Sequence, residues 1–547
     1  MKNTFILNLL KNSINKIYPE IEINISLETP KIAEHGDISS NVAMQLAKLL
    51  KKNPTDIANS IVSNLEIDNS LIDKVEVARP GFINFKLSKK YYQNELINII
   101  NLKNDFGKSN IGVGKKINVE YVSANPTGLL HLGHGRNAVI GDVIANLYEW
   151  CGYYVDREYY FNNAGNQMNN LAKSTYARYE QIFNPNYPFP DDGYHGDYIK
   201  IIALEIYQKY GDNLRELNQK NLEIFKKYAE EWCFSAIKRT LTKLRIEQNI
   251  FFNEDTLYKN GKLNEVINRL KNLGYAFEKD GATWLKLTEL GLEEDRVIIK
   301  STGEPTYRLP DIAYHTVKLD RGYDLVIDVF GADHIATVPD VLAGVKALGY
   351  DNSKIKVLIH QFITLTENGQ QVKMSKRTGK SYTLDDLLEE VGTDVVRFFF
   401  IMRSINTHLE FDLNLAKEQS EKNPVFYLQY AHARICSIIE KIKDEIVSFD
   451  PLKSNLELLN TNEEINLIKK LIDFPEVVEN SAIKFEPQIL TEYLKELAAE
   501  FHKFYHSCKI IGSEEDLKNA RLSLVYATKN TLYNGLKILK INAPEKM

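Results

Sequence analysis

Hydrophobic and polar positions change their spacing along the chain, and each change predicts a different kind of structure. Within the first hundred residues, helical spacing over 41–50 is followed by strict alternation in Gly81-Phe82-Ile83-Asn84-Phe85-Lys86-Leu87, which predicts a half-buried strand. A small α+β domain is expected over residues 1–111. The stretch 104–116 carries three glycines and several polar residues ahead of the β-type run Ile117-Asn118-Val119-Glu120-Tyr121-Val122, and predicts a linker. From 112 to 415, β-rich runs at 155–161, 325–330 and 355–359 alternate with helical stretches. That is the pattern of a parallel sheet flanked by helices, an α/β domain of Rossmann type. Inside it, the Lys/Glu/Tyr/Asn-rich stretch at about 173–290 has amphipathic helical spacing and is too long for one crossover, so an insertion between two halves of the sheet is expected. From 416 to 547 the helical period dominates, over 424–442, 465–474 and 489–508, and predicts an all-α bundle.

Composition narrows this picture only a little. A chain of 547 residues, 44% hydrophobic and 26% charged, has room for several cores. There is no apolar run of about 18 residues, and Phe5-Ile6-Leu7-Asn8-Leu9-Leu10 is too short and polar for a signal segment, so a cytoplasmic protein without a membrane span is expected. Cys151, Cys233, Cys436 and Cys508 form no Cys-x-x-Cys pair, which argues against a disulfide framework and against structural zinc. The formal net charge of -5 does not exclude a nucleic-acid partner, because binding depends on local patches and not on the sum.

Chemistry concentrates in two places. The first is Val122-Ser123-Ala124-Asn125-Pro126-Thr127-Gly128-Leu129-Leu130-His131-Leu132-Gly133-His134-Gly135-Arg136, between a predicted strand and a predicted helix. That helix shows an apolar face at Val139, Ile140, Val143, Ile144 and Leu147, with Gly152 placed to end it. Two histidines and three glycines thus gather at a helix N-terminus, where free N–H groups and the helix dipole favour an anion and glycine lets a nucleotide approach the main chain. The second place is Gln371-Val372-Lys373-Met374-Ser375-Lys376-Arg377-Thr378-Gly379-Lys380. Alone, such a basic cluster reads as a solvated loop or a generic anion patch.

Together the two stretches resemble the HIGH and KMSK signatures of the class I aminoacyl-tRNA synthetases. The longer string Ser-Ala-Asn-Pro-Thr-Gly-x-x-His-x-Gly-His-Gly-Arg is similar specifically to the arginyl enzymes. Tyr307-Arg308-Leu309-Pro310-Asp311 matches that family's Tyr-x-x-x-Asp pair, and Phe251-Phe252-Asn253-Glu254 and Gly331-Ala332-Asp333-His334 resemble further pocket segments. The likeness extends from Glu34-His35-Gly36-Asp37 to the closing Ala543-Pro544-Glu545-Lys546-Met547, and is weakest between about 175 and 290.

The resemblance implies ATP, L-arginine and tRNA(Arg) as substrates, magnesium arriving with ATP, and activation that requires tRNA. It places His131, Gly133, His134, Met374, Ser375 and Lys376 at ATP, with His131, His134, Lys373 and Lys376 as catalytic groups. Ser123, Asn125, His134, Glu254, Tyr307, Asp311 and His334 are implied to hold arginine. Arginyl enzymes that lack a good KMSK loop carry a compensating lysine three places before the first HIGH histidine; here that place is Gly128 and the loop is intact. For tRNA, Phe82 and Asn84 are implied at a D-loop base and Tyr430 and Arg434 at the anticodon, by stacking and hydrogen bonding. No protein partner is implied, and a monomer is expected.

The chemistry gives these roles a reason. When a carboxylate attacks the α-phosphorus of ATP, negative charge grows on the leaving pyrophosphate, so donors and cations must meet its oxygens. A guanidinium is a planar fork of five donors that stays charged, so its pocket needs carboxylates and acceptors. Three other readings share part of the pattern. A cysteinyl or glutamyl synthetase would need a different side-chain pocket. An RNA-binding paralogue without activity would have no use for the intact histidines and Lys376. A nucleotidyltransferase of the same fold would not need the large C-terminal bundle.

Overall fold

The computed structural model describes residues 2–30, 32–372, 382–443 and 449–547. Five strands form its central sheet: β1 (Lys116–Glu120), β2 (Tyr154–Phe161), β3 (Ile250–Asn253), β4 (Leu325–Gly331) and β5 (Ile355–His360). Their order is β5-β4-β1-β2-β3 and every pairing is parallel, with Ile117 opposite Leu325 on one side and Val155 on the other. The chain lays strands outward from β1 in one direction, then returns to start β4 on its other side. Strand order therefore reverses at β1, and the crevice beyond the carboxyl ends of β1 and β4 is where such sheets bind ligands.

The sheet is covered on both faces, as a parallel sheet must be. Asn118, Glu120, Glu158 and Asp328 point into these covered layers and are buried. Each has a local partner: Asn118 Nδ2 donates to Glu158 at 2.6 Å, Arg321 pairs with Glu158 at 2.8 Å, and the fully buried Lys318 joins Glu120 to Asp328. Helix α1 (Leu132–Trp150) follows β1 and is buried on nearly every side. It ends where expected, since Gly152 at φ +85 adopts the left-handed turn that stops it. Helix α2 (Arg308–Asp320) precedes β4, with Pro310 in its first turn, where no intrahelical N–H is needed.

The stretch expected as one insertion over about 173–290 is instead two pieces around a strand of the main sheet. Helices Asn166–Phe183, Asp197–Tyr210 and Gln219–Lys243 pack around their own core. The chain then re-enters the sheet as β3 before a three-stranded antiparallel unit over 276–299. A four-residue apolar strand flanked by long polar helices leaves too short a periodic signal to be read from sequence.

At the N-terminus, a four-stranded antiparallel sheet containing Phe82–Leu87 packs against helices, and at the C-terminus, among the described residues, five helices between Pro424 and Ile538 form the bundle. A buried ionic cluster locks that bundle to α1. Asp142 of α1 accepts from Arg397 at 2.6 Å and from Lys540 at 2.7 Å, and Arg397 also donates to the Leu539 carbonyl. Among the described residues, no helix is long and apolar enough to cross a membrane.

Candidate active site

The first motif is built by an unusual junction. Val122 and Ser123 both take positive φ, 70 and 42, a conformation that β-branched valine resists. Asn137 holds the turn by accepting from the Val122 N–H at 2.6 Å and donating to the Val329 carbonyl at 2.6 Å. The turn ties β1, β4 and α1 at one point. Eight residues after Ser123, the two imidazoles cap the helix: the His134 N–H donates to His131 Nδ1 and the His131 N–H to His134 Nδ1, each at 3.3 Å. Both Nδ1 atoms accept, so in each ring the proton sits on Nε2. The rings stack with centroids 3.6 Å apart. Burial, His131 and His360 together push His134 down to about 3, so it meets a ligand as a neutral donor and not as a cation. Arg136 is wholly buried and binds the Gln361, Thr407 and Ser404 carbonyls at 2.8–3.1 Å, clamping α1 to the segment after β5.

The same crevice holds a group of three acids, Glu120, Glu254 and Asp311. Glu254, just beyond β3, receives the Tyr160 hydroxyl at 2.5 Å, the Asn162 amide at 2.8 Å and the Tyr258 hydroxyl at 3.4 Å. Asp311, in the first turn of α2, is half-buried, and among the described residues nothing hydrogen-bonds to its carboxylate. Burial raises it to about 7, with Glu120 and Glu254 adding to the rise and His315 and Lys318 opposing it. Behind it, His315 bonds the Asp311 carbonyl through Nδ1 at 2.7 Å and Asp328 through Nε2 at 2.9 Å. Burial would lower His315, but Asp328 holds it above its ordinary range. Asp311, His315 and Lys318 follow one stripe of α2, along which His315 and Lys318 both meet Asp328 of the sheet.

Three families match this chain: "Arginyl tRNA synthetase N terminal domain" over residues 4–87, "tRNA synthetases class I (R), catalytic domain" over 95–398, and "DALR anticodon binding domain" over 428–547. An arginine–tRNA ligase from Salinibacter ruber is 47% identical over 545 residues, 96% of each chain. One from Chlorobaculum tepidum is 46% identical over 551 residues, 99% of this chain and 100% of that one. The chain belongs to the arginyl-tRNA synthetases. Its fold superposes on the Thermus thermophilus arginyl-tRNA synthetase with a TM-score of 0.79 at 22% identity, covering 100% of both chains.

For an arginyl-tRNA synthetase, the remaining expected residues fall unevenly. Ser123 spends its hydroxyl on the loop, donating to Glu120 at 2.9 Å and accepting from the Tyr160 N–H at 3.1 Å. The Asn125 amide likewise joins Asn162 N–H to Gln167. Tyr307 and Asp311 share a helical turn, with Tyr307 at the cap ahead of α2 and 86% exposed. Gly133 lies in the first turn of α1, and His334 sits just past β4 with its ring 5.1 Å from Phe330. Lys373, Met374, Ser375 and Lys376 lie outside the described residues.

Among the expected tRNA contacts, Phe82 is part-exposed, whereas Asn84 is buried and accepts from the Ser39 hydroxyl at 2.7 Å. Its amide therefore faces inward, because Ser39 on the neighbouring strand takes it. On the bundle, Phe426 stacks on Tyr430 at 6.3 Å, and the Arg434 guanidinium lies over Tyr430 at 5.9 Å and Tyr505 at 4.7 Å. Sequence reasoning missed Tyr160 and Asn162, which orient Glu254, and His360, which joins the two motif histidines at the end of β5. Their one shared signal is position at a strand's carboxyl end.

Proposed function

We propose that the crevice at the carboxyl ends of β1–β5 is where this arginine–tRNA ligase activates arginine with ATP and passes it to the 3′-terminal ribose of tRNA(Arg). The observation that carries this reading is the half-buried Asp311 carboxylate, raised to about 7 and without a hydrogen bond among the described residues. A desolvated acid flanked by two more acids is stabilised by a permanent cation, and a guanidinium supplies one with donors for both Asp311 and Glu254. Lysine could neutralise one carboxylate but not span both.

With the guanidinium there, the arginine carboxylate points toward the stacked histidines. Ser123 and Asn125 shape the loop beside its α-groups, and His334 closes the far side. Nε2–H of His131 and of His134 donates to ATP phosphate oxygens without the repulsion two imidazolium rings would suffer. The arginine carboxylate attacks the α-phosphorus, the bond to the β-phosphate oxygen breaks, and pyrophosphate leaves with its magnesium, which enters as part of the ATP substrate. Lys373 and Lys376 then meet the charge that grows on the leaving group. In the second step a ribose hydroxyl attacks the arginyl carbonyl and AMP departs. The Phe426–Tyr430–Arg434 face of the bundle is suited to stacking unpaired bases, and Phe82 to a base at the outer corner of tRNA. The enzyme acts as a cytoplasmic monomer on this reading.

The test is ATP–pyrophosphate exchange with each of the twenty amino acids, with and without bulk tRNA. Exchange should appear with arginine and require tRNA. Robust exchange without tRNA, or with another amino acid, overturns the reading.

A further inference from the structure

The helical insertion has a core of its own, of Met168, Tyr179, Ile199, Ile202 and Phe225, while its helix Gln219–Lys243 also buries Ile237 and Leu241 in the core of the main sheet. Beyond that shared core, several polar side chains of the insertion reach the sheet domain. One of them reaches the loop that leads into His131. The Tyr198 hydroxyl donates to the Thr127 carbonyl at 2.7 Å, while its ring stacks on Trp232 of the insertion at 6.1 Å. On the opposite side of the same loop, the Tyr159 hydroxyl of β2 donates to the Ala124 carbonyl at 2.6 Å. Residues 124–128 are thus held between the sheet and the insertion, and they run from the strained Val122–Ser123 turn to the histidine cap.

Gly128 fits this clasp. It is not in a left-handed conformation, so glycine is not needed there for backbone reasons; a Cβ would stand 3.0 Å from the Tyr198 hydroxyl oxygen and 3.4 Å from its ring carbon Cζ. The space a side chain would take at 128 is filled by Tyr198. We propose that Tyr198 is a positioning residue: by holding the Thr127 carbonyl it sets the approach of His131 and His134, and so couples the position of the insertion to the activation step. The inference rests on the reading that the two histidines bind ATP phosphates.

The test is single-turnover and steady-state pyrophosphate exchange, with tRNA present, for Tyr198→Phe, Gly128→Ala, their double variant and His131→Ala. Removing one hydroxyl-to-carbonyl bond should lower kcat about fivefold to tenfold, the equivalent of an ordinary hydrogen bond. The arginine KM and the thermal midpoint should stay unchanged. Gly128→Ala should lower kcat in the same way by displacing the hydroxyl, and should add nothing in the Tyr198→Phe background, because the clashing oxygen is gone. Wild-type kcat in Tyr198→Phe, additive loss in the double variant, or a loss matched by a higher arginine KM or earlier melting overturns the proposal. His131→Ala separates the two readings: wild-type kcat there removes the phosphate role of the histidines, whereas a loss there beside a normal Tyr198→Phe removes only the clasp.

Discussion

Replacing Asp311 by asparagine should weaken the enzyme's hold on arginine and make the unliganded protein more stable. The two effects share one cause. Asp311 stands above its ordinary value of 3.8, at about 7, because burial and the neighbouring Glu120 and Glu254 disfavour its charge more than His315 and Lys318 favour it. A shift of about three units at about 1.4 kcal/mol per unit sets an upper bound of about 4 kcal/mol of destabilisation. Asp311 is only half-buried, so water screens part of this and about 1–3 kcal/mol is the expected gain on neutralisation. The sign follows from linkage. The folded state holds the Asp311 proton more tightly than the unfolded chain, so its penalty is absent below about pH 4, grows as pH rises toward 7, and levels off above that. Melting of the unliganded proteins should therefore show Asp311→Asn ahead of wild type at pH 8, with the gap narrowing at pH 5.5. In exchange assays, loss of the charged partner of a guanidinium costs about 2–5 kcal/mol, so the arginine KM should rise roughly thirty- to several-thousandfold while the ATP KM changes little. For the wild type, the arginine KM should fall as pH rises through about 7. An Asp311→Asn protein no more stable than wild type at pH 8, or one with a normal arginine KM, would refute the assignment of the cleft.

Three further outcomes are expected. Lys376→Ala should slow single-turnover activation roughly a hundred- to a thousandfold with little change in ground-state ATP binding, since its charge acts on the leaving pyrophosphate at about 3–4 kcal/mol; normal activation would remove it from the mechanism. Tyr160→Phe takes one of three hydrogen bonds from Glu254 and should raise the arginine KM about tenfold, as seen in exchange kinetics, without altering the tRNA KM. Tyr430→Ala should raise the tRNA KM in aminoacylation about tenfold, since a stacked base is worth about 1–3 kcal/mol, and leave the arginine KM alone; an unchanged tRNA KM would place the anticodon elsewhere.

The sequence by itself determined what depends on near neighbours along the chain. Apolar spacing announced β1, β2, β4 and β5, the helix after the first motif and helices of the bundle, because each carries enough apolar residues in one stretch for its type to show. The histidine pair was legible because capping a helix with imidazoles needs only residues three apart. Only tertiary structure decided the rest. β3 became a strand because β2 offered it a hydrogen-bonding edge, although its own four residues are too few to declare it. Asp311 and Tyr307 look equivalent in sequence, yet one is desolvated beside acids from two other segments and the other stands 86% exposed, because burial is set by what the remainder of the chain brings alongside. The same holds for Tyr160, Asn162, His360 and Tyr198. Each acts on a partner far away in sequence, so its role exists only once the strands and the insertion have been brought to one edge of the sheet.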